Sequence, residues 1–192
     1  MARPREFDEH AAIDRAMRAF WQGGYEGTST QQLCEATGLG RSSIYNTFSS
    51  KRELFVRALQ HYCDTATQHQ IDFLEQPGPP PREKLRALLL GTVEDEFTGD
   101  NRGCLAVNTV AELGGKDPEI SAKLAKDAER YVAAIGAVVA AGQRAGEIDT
   151  KRDPLLLARF LHSQISALRM GARGGTDRAT LEQLAELALS TL

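Results

Sequence analysis

The chain has little from which to build a disulfide framework, a metal site or a membrane span. It holds three cysteines in 192 residues, none in CxxC spacing, so neither a cross-linked scaffold nor a local zinc ligand set is available. No secretory leader is recognisable at the start of the sequence, and a reducing, cytoplasmic setting is the expectation. The four histidines, His10, His61, His69 and His162, form no HxxxH pair and have no carboxylate at zinc-like spacing. A metal could only be held across distant helices, and no metal or cofactor is expected. The one long apolar run, Val132 to Ala141, is alanine-rich and too short to cross a bilayer. GxSxG, HExxH, a Gly-rich phosphate loop and a locally readable Cys–His pair are all missing, so an enzyme is not expected. An excess of positive charge is missing too. Net charge is −3, and any field that attracts nucleic acid has to be local.

What the sequence does have is helical periodicity from end to end, with no strand-like alternation, which predicts an all-α fold. Its densest signal is the stretch Thr28 to Leu54, TSTQQLCEATGLGRSSIYNTFSSKREL. It reads as a short helix, a Gly-centred turn, a second short helix and the start of a long third one, the layout of a helix-turn-helix. Thr30 is the expected cap of the first short helix, with Leu33, Cys34 and Ala36 on its apolar side. Gly38 sits where the turn needs positive φ. The second short helix spans about Arg41 to Phe48, with Leu39, Ile44 and Phe48 inward and Arg41, Ser42, Ser43, Tyr45, Asn46 and Thr47 outward. Ala36 to Arg52 contains no acid but includes Arg41, Lys51 and Arg52, as a phosphate-facing surface requires.

Around this stretch the sequence resembles the N-terminal domain of the TetR family of transcriptional regulators. The resemblance rests on Ala16 and Phe20, on Gly24-Tyr25-Glu26-Gly27-Thr28, and on Ile44-Tyr45-Asn46-Thr47-Phe48-Ser49-Ser50-Lys51-Arg52-Glu53-Leu54. It covers roughly residues 10 to 58. Gly40 stands where Ser or Thr is usual, and Thr47 where an aromatic or His is common. The resemblance implies about nine helices, divided into a DNA-binding head (residues 1–57) and an effector-binding and dimerisation body (58–192).

The expected boundaries in the rest of the chain are a first helix from about Asp8 to Gln22 and a long helix from about Lys51 to Glu75, ended by Gln76-Pro77-Gly78-Pro79-Pro80-Pro81. Further helices run from about Arg82 to Phe97 and Cys104 to Leu113. Asp117-Pro118 and Asp153-Pro154 each open another, to Ala145 and Ala172. Gly174-Gly175 precedes the last, from about Asp177 to Ser190. Family likeness implies that the final two helices pair with a second subunit, and Leu157, Phe160, Leu161, Ile165, Leu168, Leu181, Leu184 and Leu187 are the candidate contacts. Packing of both faces within one monomer is the alternative reading.

The function implied is a ligand-responsive regulator, a repressor that binds palindromic double-stranded operator DNA as a homodimer and releases it when a small-molecule effector binds. Thr30 and Gln31 would meet phosphate. Arg41, Ser42, Ser43, Tyr45 and Asn46 would reach bases or phosphates, and Lys51 would anchor the backbone. Tyr45 has an alternative as a packing residue at the head's rim. Arg3 and Arg5 are read either as a backbone-touching arm or as a disordered terminus. Candidate effector residues, chosen as large or polar side chains on apolar helices, are Phe73, Phe97, Cys104, Asn108, Glu112, Tyr131, His162 and Arg169. Cys104, Asn108 and Glu112, four residues apart, form one stripe, read as facing a cavity or as a filler cysteine with a polar helix face. Some TetR members resemble this Gly-Cys-Leu-x-x-Asn-x-x-x-Glu pattern, and in a few the cysteine senses electrophiles or oxidants. A thiol sensor at Cys104 is therefore the alternative mechanism. A helical enzyme or carrier with a helix-turn-helix head is the remaining one, and it would have to assemble its chemistry between distant helices.

Overall fold

The computed structural model describes residues 8–98 and 102–192; Arg3 and Arg5 lie outside them. Those residues form nine helices and no strand: α1 Glu9–Gly23, α2 Thr30–Thr37, α3 Arg41–Phe48, the rod α4, α5 Pro81–Thr98, α6 Leu105–Leu113, α7 Pro118–Ala145, α8 Pro154–Arg173 and α9 Arg178–Leu189. The rod α4 is α-helical over Lys51–Tyr62 and Gln68–Glu75 and widens to a π-helical turn over Cys63–Thr67 between them. Its C-terminal carbonyls are closed by a buried lysine: Lys84 Nζ donates to Leu74 O at 3.0 Å and also reaches Gln76 O.

The helix starts follow side-chain chemistry. Asp8, Asp117, Asp153 and Asp177 each cap the following helix through a carboxylate, and proline occupies the first turn of α7 and α8. At α2 the cap is Ser29 rather than the expected Thr30. Ser29 accepts from Gln32 N at 3.2 Å while Gln32 Oε1 accepts from Ser29 N at 2.8 Å. A reciprocal box of this kind satisfies two first-turn N–H groups at once, which Thr30 could not do with Leu33 three residues on.

Two apolar clusters organise the interior. One joins α1 to α4 through Phe20, Leu33, Ile44, Phe48 and Phe55, and runs without a break into Cys104, Leu105 and Leu113 of the body. The other lies among α5, α7, α8 and α9, centred on Leu85, Leu89, Ile135, Val139 and Leu161. Because of the second cluster, Leu157, Leu161, Ile165, Leu168 and Leu181 are buried within the single chain. They are core residues rather than the outer contacts expected of them, since α7 and α5 already cover that face of α8. Phe160 is half-buried against the same cluster. Among the eight candidates, Leu184 and Leu187 stand open, at 46% and 64% exposure.

A candidate DNA interface and a candidate effector cavity

The outer face of the head is built by what its inner face buries. Ile44 and Phe48 are fully buried, which turns Arg41, Ser42, Tyr45 and Asn46 to solvent and leaves Ser43 half-buried. Gly38 closes α2 at φ 72°, a left-handed turn that brings α3 across it. Gly40 then starts α3 without a side-chain cap, so its first-turn N–H groups are left to solvent or to an anion. Thr30 Oγ1 lies 3.3 Å from Tyr45 Oη, which links the first turn of α2 to α3 and holds Tyr45 outward, at 41% exposure. Gln31 is exposed and donates to Glu35 at 3.1 Å. Lys51 begins α4 with its ammonium 4.7 Å from the Tyr25 ring centroid. Arg52 does not belong to this face, because its guanidinium is engaged by Asp117 and Glu119 of the body.

Behind the head lies a cavity of about 880 Å³, walled by α4 at its π turn, α6, α7 and α8. Cys104, Tyr131, His162 and Arg169 line it. The other four candidates do not. Phe73 packs half-buried against the larger core cluster, and Phe97 points outward at 43% exposure. Asn108 donates to Arg102 O at 3.0 Å and, with Glu112, borders a separate recess of about 550 Å³. The stripe therefore splits, since Cys104 precedes the first residue of α6 and borders the larger cavity while Asn108 and Glu112 do not. Trp21 and Tyr62, which sequence reasoning did not select, also line the cavity, and Trp21 brings the head itself into its wall. The available signal was that the sole tryptophan lies just past the apolar stripe of α1.

Burial sets the chemistry of the lining. Tyr62 Oη donates to Cys104 Sγ at 3.3 Å, and burial, followed by the nearby sulfur, pushes the Tyr62 phenol up. Burial likewise pushes Tyr131 up and His162 down, Arg169 adding to the latter, so both rings are neutral at pH 7. They meet edge to face at 5.7 Å. Glu96 is raised by burial against the pull of Arg169, whose Nε is 4.0 Å from its carboxylate. Burial opposes the Arg169 cation, but the Cys104 side chain beside it accepts a hydrogen bond, the net shift is upward, and the guanidinium stays charged. Arg169 Nε and Tyr131 Oη are both buried with no hydrogen-bond partner among the described residues.

The cavity wall is bonded directly to the head. Glu112 near the end of α6 accepts from Tyr25 N at 2.9 Å and Glu26 N at 2.7 Å. Gly24 makes room for this carboxylate. Its φ is +74°, and a Cβ there would sit 2.9 Å from Glu112 Oε2. Trp21 Nε1 donates to Gly103 O at 2.9 Å.

Two family models match the sequence. One, bacterial regulatory proteins of the tetR family, covers residues 12–58; the other, the tetracyclin repressor-like C-terminal domain, covers residues 81–187. The chain belongs to the TetR family. This TetR regulator is similar to the HTH-type transcriptional repressor ComR of Escherichia coli (strain K12), 33% identical over 194 residues, which span 99% of this chain and 90% of ComR. It is also similar to the uncharacterized HTH-type transcriptional regulator YezE of Bacillus subtilis (strain 168), 28% identical over 100% of each chain. Among solved structures, a cysteine mutant of the TetR family regulator CifR in complex with 26-base-pair operator DNA aligns at a TM-score of 0.81 and 34% identity, over 98% of both chains. As a TetR regulator, the chain is a DNA-binding transcriptional regulator with a helix-turn-helix head. No helix among the described residues is long and apolar enough to cross a membrane.

Proposed function

We propose that this TetR regulator is a cytoplasmic, non-enzymatic repressor that holds palindromic operator DNA as a homodimer and lets go when a small molecule fills the 880 Å³ cavity. The observation that carries the reading is the continuity between cavity and head: Glu112 and Gly103 belong to the segment that walls the cavity or adjoins it, and both are hydrogen-bonded to residues of the head. A ligand that displaces α6 or turns α4 at its π segment tilts the helix-turn-helix. Two heads must meet half-sites about 34–36 Å apart, so a small tilt in each breaks simultaneous contact. Thr30, Gln31 and Lys51 hold phosphate, and Arg41, Ser42, Ser43, Tyr45 and Asn46 read or brace against the major groove. The exposed Leu184 and Leu187 of α9, with Leu155 and Leu156 of α8, supply the apolar surface of the subunit contact. Fluorescence anisotropy on operator and scrambled duplexes tests the DNA reading. A thermal-shift screen on the free protein tests the cavity, since a ligand selective for the folded state raises Tm.

A second reading is favoured by the placement of Cys104, whose sulfur accepts from Tyr62 at 3.3 Å on the cavity wall. An electrophile held in the cavity would meet this thiol, whereas burial pushes the Cys63 thiol up and makes it a poor nucleophile. Brief alkylation followed by mass spectrometry separates the mechanisms. Preferential labelling of Cys104, with loss of the DNA response in Cys104→Ser, selects the thiol sensor; equal labelling and an intact response select the reversible ligand.

A further inference from the structure

Two polar atoms on residues that line the cavity have no hydrogen-bond partner among the described residues, although the rest of the Arg169 guanidinium is engaged by Cys104. Tyr131 is 7% exposed, lies on the wall, and its hydroxyl is buried without a partner among the described residues. Arg169 Nε is in the same condition on the same wall, with Glu96 held off at 4.0 Å, too far for a hydrogen bond. A buried donor without an acceptor is costly, so such groups are normally satisfied. Here two of them, on neighbouring helices α7 and α8, coincide with a lining that is mostly apolar in area, through residues such as Leu124, Ile165 and Ala128, and that also carries the carboxylates of Asp95, Glu96 and Asp127. Both groups can donate, and an arginine Nε–H can do nothing else.

Building on the effector reading above, we infer that the ligand carries a carbonyl-type oxygen, as a carboxylate or an uncharged carbonyl, on an apolar body, and that this oxygen accepts from Tyr131 Oη and Arg169 Nε. The apolar remainder lies against α6 and α7, where Ala106, Val107, Val110 and Leu124 line the cavity. Neutral donors alone would not discriminate charge, but a guanidinium favours an anionic oxygen, so the acid form is the tighter of the two. The body of the ligand contributes affinity through area, while the oxygen fixes its orientation.

The test uses the free protein and three matched probes, 4-phenylbutyrate, 4-phenylbutanamide and butylbenzene, with binding read by calorimetry and thermal shift and no DNA present. Tyr131→Phe removes only the hydroxyl. Because that oxygen has no partner to lose, the unliganded variant should melt at or above the wild-type temperature. It should bind the acid and the amide about tenfold more weakly and butylbenzene unchanged. Arg169→Gln, a second variant, should weaken the acid more than the amide. Equal weakening of all three probes by Tyr131→Phe overturns the inference. So does a failure of acid and amide to bind more tightly than the hydrocarbon, including no binding by any probe at millimolar concentration. Ligand-driven DNA release is measured separately: probes that bind as stated without releasing operator DNA would count against the repressor reading and leave the acceptor site standing.

Discussion

Arg52 grips Asp117 with two hydrogen bonds, Nε to Oδ2 at 2.8 Å and Nη2 to Oδ1 at 3.0 Å. The pair joins the first turn of α4 to the cap of α7, and Asp117 also accepts from Glu119 N and Ile120 N. One carboxylate thus starts a body helix and fastens it to the head. Arg52→Ala should lower Tm slightly, Asp117→Ala more, and Asp117→Asn should fall between them because it keeps an oxygen for the cap. Arg52 holds the Asp117 carboxyl below its ordinary range. The clasp's contribution is therefore complete above the usual aspartate value of about 4 and is lost as pH falls through the lowered one. Acid melts of wild type and Arg52→Ala should converge there.

Glu112 is irreplaceable by its amide. It offers one oxygen to each of two backbone N–H groups, whereas Gln would turn an NH2 toward one of them. Glu112→Gln should cost about 1–2 kcal/mol and reduce the ligand-induced change in operator affinity, measured by anisotropy. A variant that matches wild type in both respects would remove Glu112 from the coupling path.

On the DNA face, Lys51→Ala should weaken binding to all duplexes by a similar factor and lower the salt slope by about one. Arg41→Ala should instead lose discrimination between operator and scrambled duplex if its guanidinium reaches a guanine edge. Titrations at several salt concentrations separate the two outcomes. Unchanged affinity in both variants would take away the recognition-helix assignment.

Assembly can be separated from folding by the difference between leucines. Leu187→Glu places a charge on an exposed position of α9 and should give folded monomers by sedimentation velocity. Leu157→Glu buries a charge in the monomer core and should cost more than about 3 kcal/mol, unfolding the chain at any concentration. A wild-type chain that sediments as a monomer at micromolar concentration sinks the homodimer.

His162 is kept neutral, burial first and Arg169 second lowering its affinity for the proton. Unfolded histidine takes up a proton below about pH 6.5 while the folded one resists, so the stability this contributes is present above that value and drains away as pH falls. Urea melts at pH 7.5 and pH 5 should show wild type losing more stability than His162→Gln. An equal loss would mean that His162 is solvated.

The helices were legible because their boundaries are written locally. Asp-Pro pairs open α7 and α8, the proline run ends α4, and Gly38 turns α2 into α3. The outward side chains of α3 followed from which residues had to be inside. The cavity was not legible in the same way. Phe73 and Glu112 look like lining residues by type, yet their orientation depends on neighbours far along the chain, a core cluster for one and the Tyr25–Glu26 backbone for the other. The candidate subunit contacts divide between exposed and buried positions for a related reason. Apolarity on two sides of α8 marks burial without saying which neighbour provides it, and much of that burial is internal.

The π turn at Cys63–Thr67 also makes α4 a gear with an odd tooth. Each residue of an α-helix advances the chain by about 1.5 Å and rotates it by about 100°, so a wide turn carries one residue more than the regular path needs. Deleting a single residue there would let the rod run as plain α-helix without shortening its span much. Inserting one elsewhere would rotate everything downstream against the head. The phase between what the cavity holds and what the head touches is thus counted in whole residues, and a chain in this lineage could change its response by gaining or losing one.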